Sequence, residues 1–168
     1  MSISIYQTTI PVYINALNNL SSILDKAVAY ADEKGIDLDV LVNYRLAVDM
    51  HSLPRQVQIA TDTAKGCGAR LTGVEPPVYE DTETTFPELK QRIEKTVDYL
   101  KSLDFGEFEG AEEREVQLKL PSRTIDFNGL SYVNHFVTPN FFFHITTAYC
   151  ILRHAGVPVG KMDFLGGK

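Results

Sequence analysis

The side chains best suited to chemistry are the histidines, and their spacing sorts them. His144 and Asn140 differ by four positions, so on a helix they share one face, a turn apart. His135 precedes His144 by nine residues, about 180° around a regular helix, and His154 follows it by ten, on the order of 15 Å along the axis. On an unbent helix no two of these three rings can hold one metal ion. A bend expected at Pro139 relaxes that for His135 alone. Other motifs fail. Gly156-Val157-Pro158-Val159-Gly160-Lys161 has the outline of a phosphate loop, but the spacing is short and Met162 replaces the hydroxyl residue. No nucleophile elbow exists, and no Ser or Cys has a His partner nearby in sequence. Cys67 and Cys150 lie in apolar, helix-like stretches without zinc spacing and are expected as buried thiols in a reducing cytoplasm.

A chain of 168 residues, 44% hydrophobic and 23% charged, suits one domain over 1–168 with a real apolar core. The net charge of -6, without any basic run, argues against nucleic acid and against an anionic membrane surface as partners. No charged residue precedes Asp25, yet a signal peptide would open with Lys or Arg. A span would need about 20 mostly apolar residues, and Gln7, Thr8, Thr9, Asn15, Asn18 and Asn19 interrupt the stretch. Neither is expected. The sequon Asn19-Leu20-Ser21 then carries no meaning on a cytoplasmic helix.

Four long helices must position the histidine face. Tyr13, Leu17, Leu20, Leu24, Ala27 and Ala31 repeat at three and four residues within Ser4–Lys34, with Pro11 starting or kinking the helix and Gly35 ending it. Residues 36–53 read as a half-ordered connector with one helical turn. Ser52-Leu53-Pro54 opens a second helix, whose stripe is Val57, Ala60, Ala64, Cys67 and Leu71. After a loop from Gly73 to Thr84, Thr85 and Glu88 form a capping box for a third helix carrying Phe86, Leu89, Ile93, Val97 and Leu100 and ending near Asp104. The period then changes to two. Val116, Leu118 and Leu120, a turn at Pro121-Ser122, and Ile125 and Phe127 predict a β-hairpin that must lie on the bundle. Asn128-Gly129 breaks the strand, Ser131 caps the last helix to Ala155, and Phe141-Phe142-Phe143 demands burial of most of its surface. The tail, Val157 to Lys168, is expected to pack back in extended form.

The stretch from Phe143-His144-Ile145-Thr146-Thr147 through Leu152-Arg153-His154-Ala155-Gly156-Val157 resembles the last helix of DinB/YfiT-like proteins. Asp49-Met50-His51-Ser52-Leu53-Pro54-Arg55-Gln56-Val57-Gln58 and Thr138-Pro139-Asn140-Phe141 resemble an uncharacterised microbial branch of that superfamily. The likeness runs through nearly the whole chain in order. It implies a mostly α fold, a DinB-like up-down four-helix bundle with a small β-hairpin between helices three and four. It also implies an inter-helix site, where relatives carry a His-x-x-x-His pair and a third histidine from helix two. His144 falls on the second His of the pair and Asn140 on the first; His51 stands near the third, with Gln56 and Gln58 on the next turn. The implied ligand set for a divalent ion, zinc or nickel, is His144, His51 and Asn140. One amide and an imidazole at a helix entrance make that set poor, so no resident metal is the leading expectation.

Two functional classes follow. In the first, a small-molecule transferase, isomerase or lyase keeps His144 as general acid or base, with His51 and Asp49 as catalytic partners. Asn140, Gln56, Tyr44 and Arg45 would then touch substrate. In the second, the protein is a non-enzymatic ligand-binding or stress-related homodimer. Each residue also has a structural reading: a buried, hydrogen-bonded His144, an Asn140 satisfying a carbonyl freed by Pro139, and surface positions for His51, Asp49, Tyr44, Arg45, His135 and His154.

Overall fold

The computed structural model describes residues 3–120 and 122–167, with Leu120 described by its backbone alone. Pro121 in the expected turn, the side chain of Leu120 and Lys168 in the tail lie outside the described residues. Helix α1, Ile5–Lys34, starts at a Ser4 capping box with Gln7 and stops where Gly35 turns left-handed at φ 64°. It continues through Pro11, which therefore does not start it. The carbonyl that proline leaves unpaired belongs to Gln7, and both residues are exposed, so water can satisfy it. A single turn, α2 (Leu38–Val42), interrupts the connector.

Helix α3, Leu53–Thr72, and helix α4, Phe86–Lys101, follow as their apolar stripes predict. Val57, Ala60, Ala64, Cys67 and Leu71 are all buried, as are Phe86, Leu89, Ile93, Val97 and Leu100. Thr85 and Glu88 make the capping box read from the sequence. Strands β1, Glu115–Leu120, and β2, Arg123–Asn128, pair antiparallel, with Val116 opposite Phe127 and Leu118 opposite Ile125. The expected hairpin is present, with Val116 and Leu118 turned to the buried side.

The last helical stretch departs from expectation at its start. Asn128, not Ser131, is the cap: its side chain accepts from the Ser131 backbone N–H, and helix α5 runs Gly129–Tyr132. An amide side chain at the end of an extended strand reaches the orphan N–H three residues on, so the helix begins earlier than a cap at Ser131 would allow. Gly129 is required there. A Cβ at this residue would stand 1.8 Å from the carbonyl oxygen of Ala111. Gly129→Ala should therefore cost about 1–3 kcal/mol, through forced movement of packed backbone, read as a lowered urea midpoint.

Between α5 and α6 (Thr138–His154) the turn widens to a π-type segment over Val133–Val137, and the Thr138 N–H bonds back to the Val133 carbonyl. Pro139 explains it. A proline ring collides with the carbonyl four residues earlier, and one extra residue in the preceding turn relieves that contact. Helix α6 is less buried than its aromatic run suggested. Phe141 is fully buried, but Phe143 is 55% exposed, because the run covers more of the helix circumference than its neighbours can. The tail is also corrected: it is not extended throughout but forms a short helix, α7 (Lys161–Leu165), against α1. Asn19 donates to the Phe164 carbonyl and Lys26 pairs with Asp163, which ties this turn down.

The four long helices close a ring: α3 lies between α4 and α6, and α1 also contacts α4 and α6. Tyr13 of α1 shares a hydrogen bond of 2.9 Å with Thr138 at the head of α6. The result is a mostly α bundle with one two-stranded hairpin. No helix among the described residues is long and apolar enough to cross a membrane.

Candidate functional site

The α3–α6 seam brings His144 to Gln56. His144 Nδ1 lies 2.7 Å from Gln56 Oε1, and Gln56 Nε2 donates to the His51 carbonyl at 3.0 Å. These two contacts fix the protons. With its amide nitrogen spent on a carbonyl, Gln56 offers only an oxygen to the ring, so His144 carries its proton on Nδ1. Nε2 keeps the lone pair. The residue is 8% exposed, and the side-chain polar atom found fully buried without a partner among the described residues is the Tyr99 hydroxyl. His144 Nε2, unpartnered among these residues, therefore reaches the surface.

Burial pushes the proton affinity of His144 down to about 4, and the nearby His51 and Arg55 lower it further. The ring is neutral at pH 7. One turn earlier, Asn140 donates from its amide nitrogen to Thr63 Oγ1 at 2.7 Å, and that hydroxyl donates to the Ile59 carbonyl, also at 2.7 Å. Asn140 thus serves as a tie between α6 and α3 and keeps Oδ1 for other partners. It does not satisfy a proline-freed carbonyl through its amide.

The remaining sequence-predicted residues lie farther out. His51 is exposed at the entrance of α3, and only its backbone carbonyl joins the Gln56 chain. Asp49 and Arg45 are exposed in the connector, where Arg45 donates to the Met50 carbonyl at 3.4 Å. The Tyr44 ring sits 6.0 Å from that of His154, at the far end of α6. His135 is exposed on the widened turn. Thr63 and Arg55 were missed as site residues. Thr63 could have been found, since it stands seven residues after Gln56 and so returns to the same helix face. Phe143, exposed beside the His144 ring at 5.1 Å, was read as core.

The seam does not fit a divalent ion. It offers one imidazole nitrogen and one neutral amide oxygen, where such a site needs three good donors. No carboxylate joins them, and the Arg55 guanidinium adds like charge. Among the described residues no group of three or more His, Cys, Asp or Glu gathers in a metal-holding arrangement. Surface clefts among the described residues lie elsewhere, beside Tyr79 and beside the hairpin, where the volume reaches about 650 Å³, and His144 lines neither.

A larger polar assembly, absent from the sequence reading, joins α3, α4 and the loop between them. Arg92, its side chain 1% exposed, donates to Thr61 Oγ1, the Glu80 carbonyl, Glu83 and Asp62, and lies 3.0 Å from Asp81. Lys65 pairs with Asp62 at 2.8 Å and sits 3.8 Å over the Tyr79 ring. Arg55 bonds Asp81 and Gln58, so this assembly reaches the edge of the His144 seam.

The model of the domain of unknown function family DUF1993 matches residues 5–165. No curated protein is similar enough to match. A crystal structure of a DinB family member protein from Shewanella denitrificans is similar at 45% sequence identity and a TM-score of 0.88, over 97% of this chain and 92% of that one. The chain therefore belongs to the DUF1993 family and has the DinB-like helical fold.

Proposed function

We propose that the α3–α6 seam is the working site of a small-molecule enzyme or binding protein, with His144 Nε2 as the hydrogen-bond acceptor or base. The observation that carries this is the Gln56 contact, which holds a proton on Nδ1 and so leaves Nε2 as the acceptor of the neutral ring. A ring pushed down to about 4 is neutral at pH 7, so it presents a lone pair as a hydrogen-bond acceptor and weak base and has no acidic proton to give. Asn140 Oδ1, one turn away, offers a second acceptor, so the fitting ligand presents N–H, O–H or S–H groups. His51, with the exposed Asp49 and Arg45 of the connector, would line the approach, while Tyr44, beside His154, stands apart from it. Two free thiols, Cys67 and Cys150, favour a reducing, cytoplasmic setting.

The test is a thermal-shift and ligand-observed NMR screen of the full chain with glutathione and with uncharged amide and alcohol fragments. Binders should weaken by about tenfold or more in His144→Ala, because a buried donor on the ligand loses its acceptor. A screen in which no binder depends on His144 would sink the reading.

A homodimer is the second reading, and it rests on exposed apolar side chains in the connector. Val40 is 61% and Val48 93% exposed, with Leu38 and Leu46 beside them in sequence and Phe143 open on α6. Light scattering of the wild type against Val48→Glu decides it; two monomeric profiles would remove this second reading.

A further inference from the structure

We infer that Asn140 and Gln56 hold the α3–α6 seam as a hydrogen-bonded site that rejects divalent metal ions, and that residue 140 is the position at which a single change brings it nearest to a metal site. An ion needs lone pairs that converge on it. Here the lone pairs are already committed to protons: Gln56 Oε1 accepts from His144 Nδ1, and Thr63 Oγ1 accepts from the Asn140 amide while donating to the Ile59 carbonyl. What remains is a single imidazole nitrogen and a single neutral amide oxygen. Arg55, one residue before Gln56, is ion-paired with Asp81 and has no lone pair to offer an ion.

Half of a metal site nevertheless survives. A metal-binding histidine is oriented by an acceptor on its second ring nitrogen, and Gln56 gives His144 that support. Two histidines four residues apart on one helix face can bind one ion. Residue 140 is the place where a second imidazole would join His144. Asn140→His would supply the second imidazole on the face already shared with His144, at the sacrifice of the Thr63 tie. None of this depends on which small molecule binds, so a failed ligand screen leaves it standing.

The experiment uses nickel as the probe on the full-length wild type, on Asn140→His, and on Asn140→His combined with His144→Ala. Elemental analysis after dialysis against nickel is read beside the nickel-dependent change in Tm. The wild type should retain well under one equivalent and show no Tm rise. Asn140→His should retain about one equivalent, bind nickel about tenfold or more tighter than wild type, and melt higher with nickel; the double variant should lose both gains. Wild type retaining about one equivalent that His144→Ala abolishes overturns the inference. So does a folded Asn140→His, checked by circular dichroism, that gains no nickel. Should that variant fail to fold, Asn140→Asp brings a carboxylate to the same place and is judged by the same two readouts.

Discussion

Arg92→Met is expected to destabilise the protein by about 3 kcal/mol, the low end of what breaking a buried ion pair costs. The side chain is 1% exposed and its guanidinium is the cation that Asp62, Asp81 and Glu83 share. Methionine fills most of the volume but leaves Glu83 without its cation, with Asp62 and Asp81 held by Lys65 and Arg55 alone, and the Glu80 carbonyl and Thr61 hydroxyl lose a donor. Two of those carboxylates are more than a third exposed and can rehydrate, which holds the loss below the upper end of the range. For a chain of this length the Tm should fall by roughly 6–12 °C. The loop from Gly73 to Thr84 should also become the first site of proteolysis, since Asp81 and Glu83 are its anchors. Arg92→Lys should recover part of the stability without the fork geometry. Urea unfolding with a loss under about 1 kcal/mol would show that the assembly is decorative.

That residue marks where the sequence stops being readable. Leu89, Ile93, Val97 and Leu100 announce a helix face through their period, because apolar side chains gain by burial whatever their neighbours are. Arg92 lies next to that face but is charged, and a charged residue is placed outward unless its partners are known. Its partners come from α3 and from a loop that has no period at all. The same reasoning separates the two halves of the candidate site. His144 and Asn140 could be put on one inward face from spacing alone. Gln56 opposite His144, and Thr63 opposite Asn140, required the register between α3 and α6, which no local pattern carries.

The boundary errors have physical causes of the same kind. The widened turn at Val133–Val137 is a response to Pro139 that costs one residue of register, so positions before it rotate by about 100° relative to a regular helix. Asn128 and Ser131 are both good cap residues, and the choice between them depends on where β2 lets go of the chain. Phe143 was assigned to the core because large aromatic residues usually find cover; here α6 has neighbours on too few sides.

Acid should reveal His144 directly. In the unfolded chain its imidazole takes a proton near its ordinary value of 6.5, while in the folded protein burial, aided by His51 and Arg55, delays that to about 4. Across this window the unfolded state binds more protons, so the ring's contribution is fully present above about pH 6.5 and is lost as the pH falls toward 4. The span corresponds to about 3 kcal/mol for a residue that is only 8% exposed. Carboxylates held below their usual range at Glu33, Glu88 and Asp163 also respond to acid, so the wild-type curve alone does not isolate one group. His144→Gln does. It keeps a polar side chain at the Gln56 contact and cannot titrate, so the wild type should lose about 3 kcal/mol relative to it as the pH falls from 7 to 4. Urea unfolding at half-unit pH steps reads the difference, and NMR of the ring protons should show His144 still neutral at pH 5. Parallel curves for the two proteins would mean that the imidazole is protonated in the fold as readily as in water, and the fixed neutral acceptor on which the seam's chemistry rests would be lost.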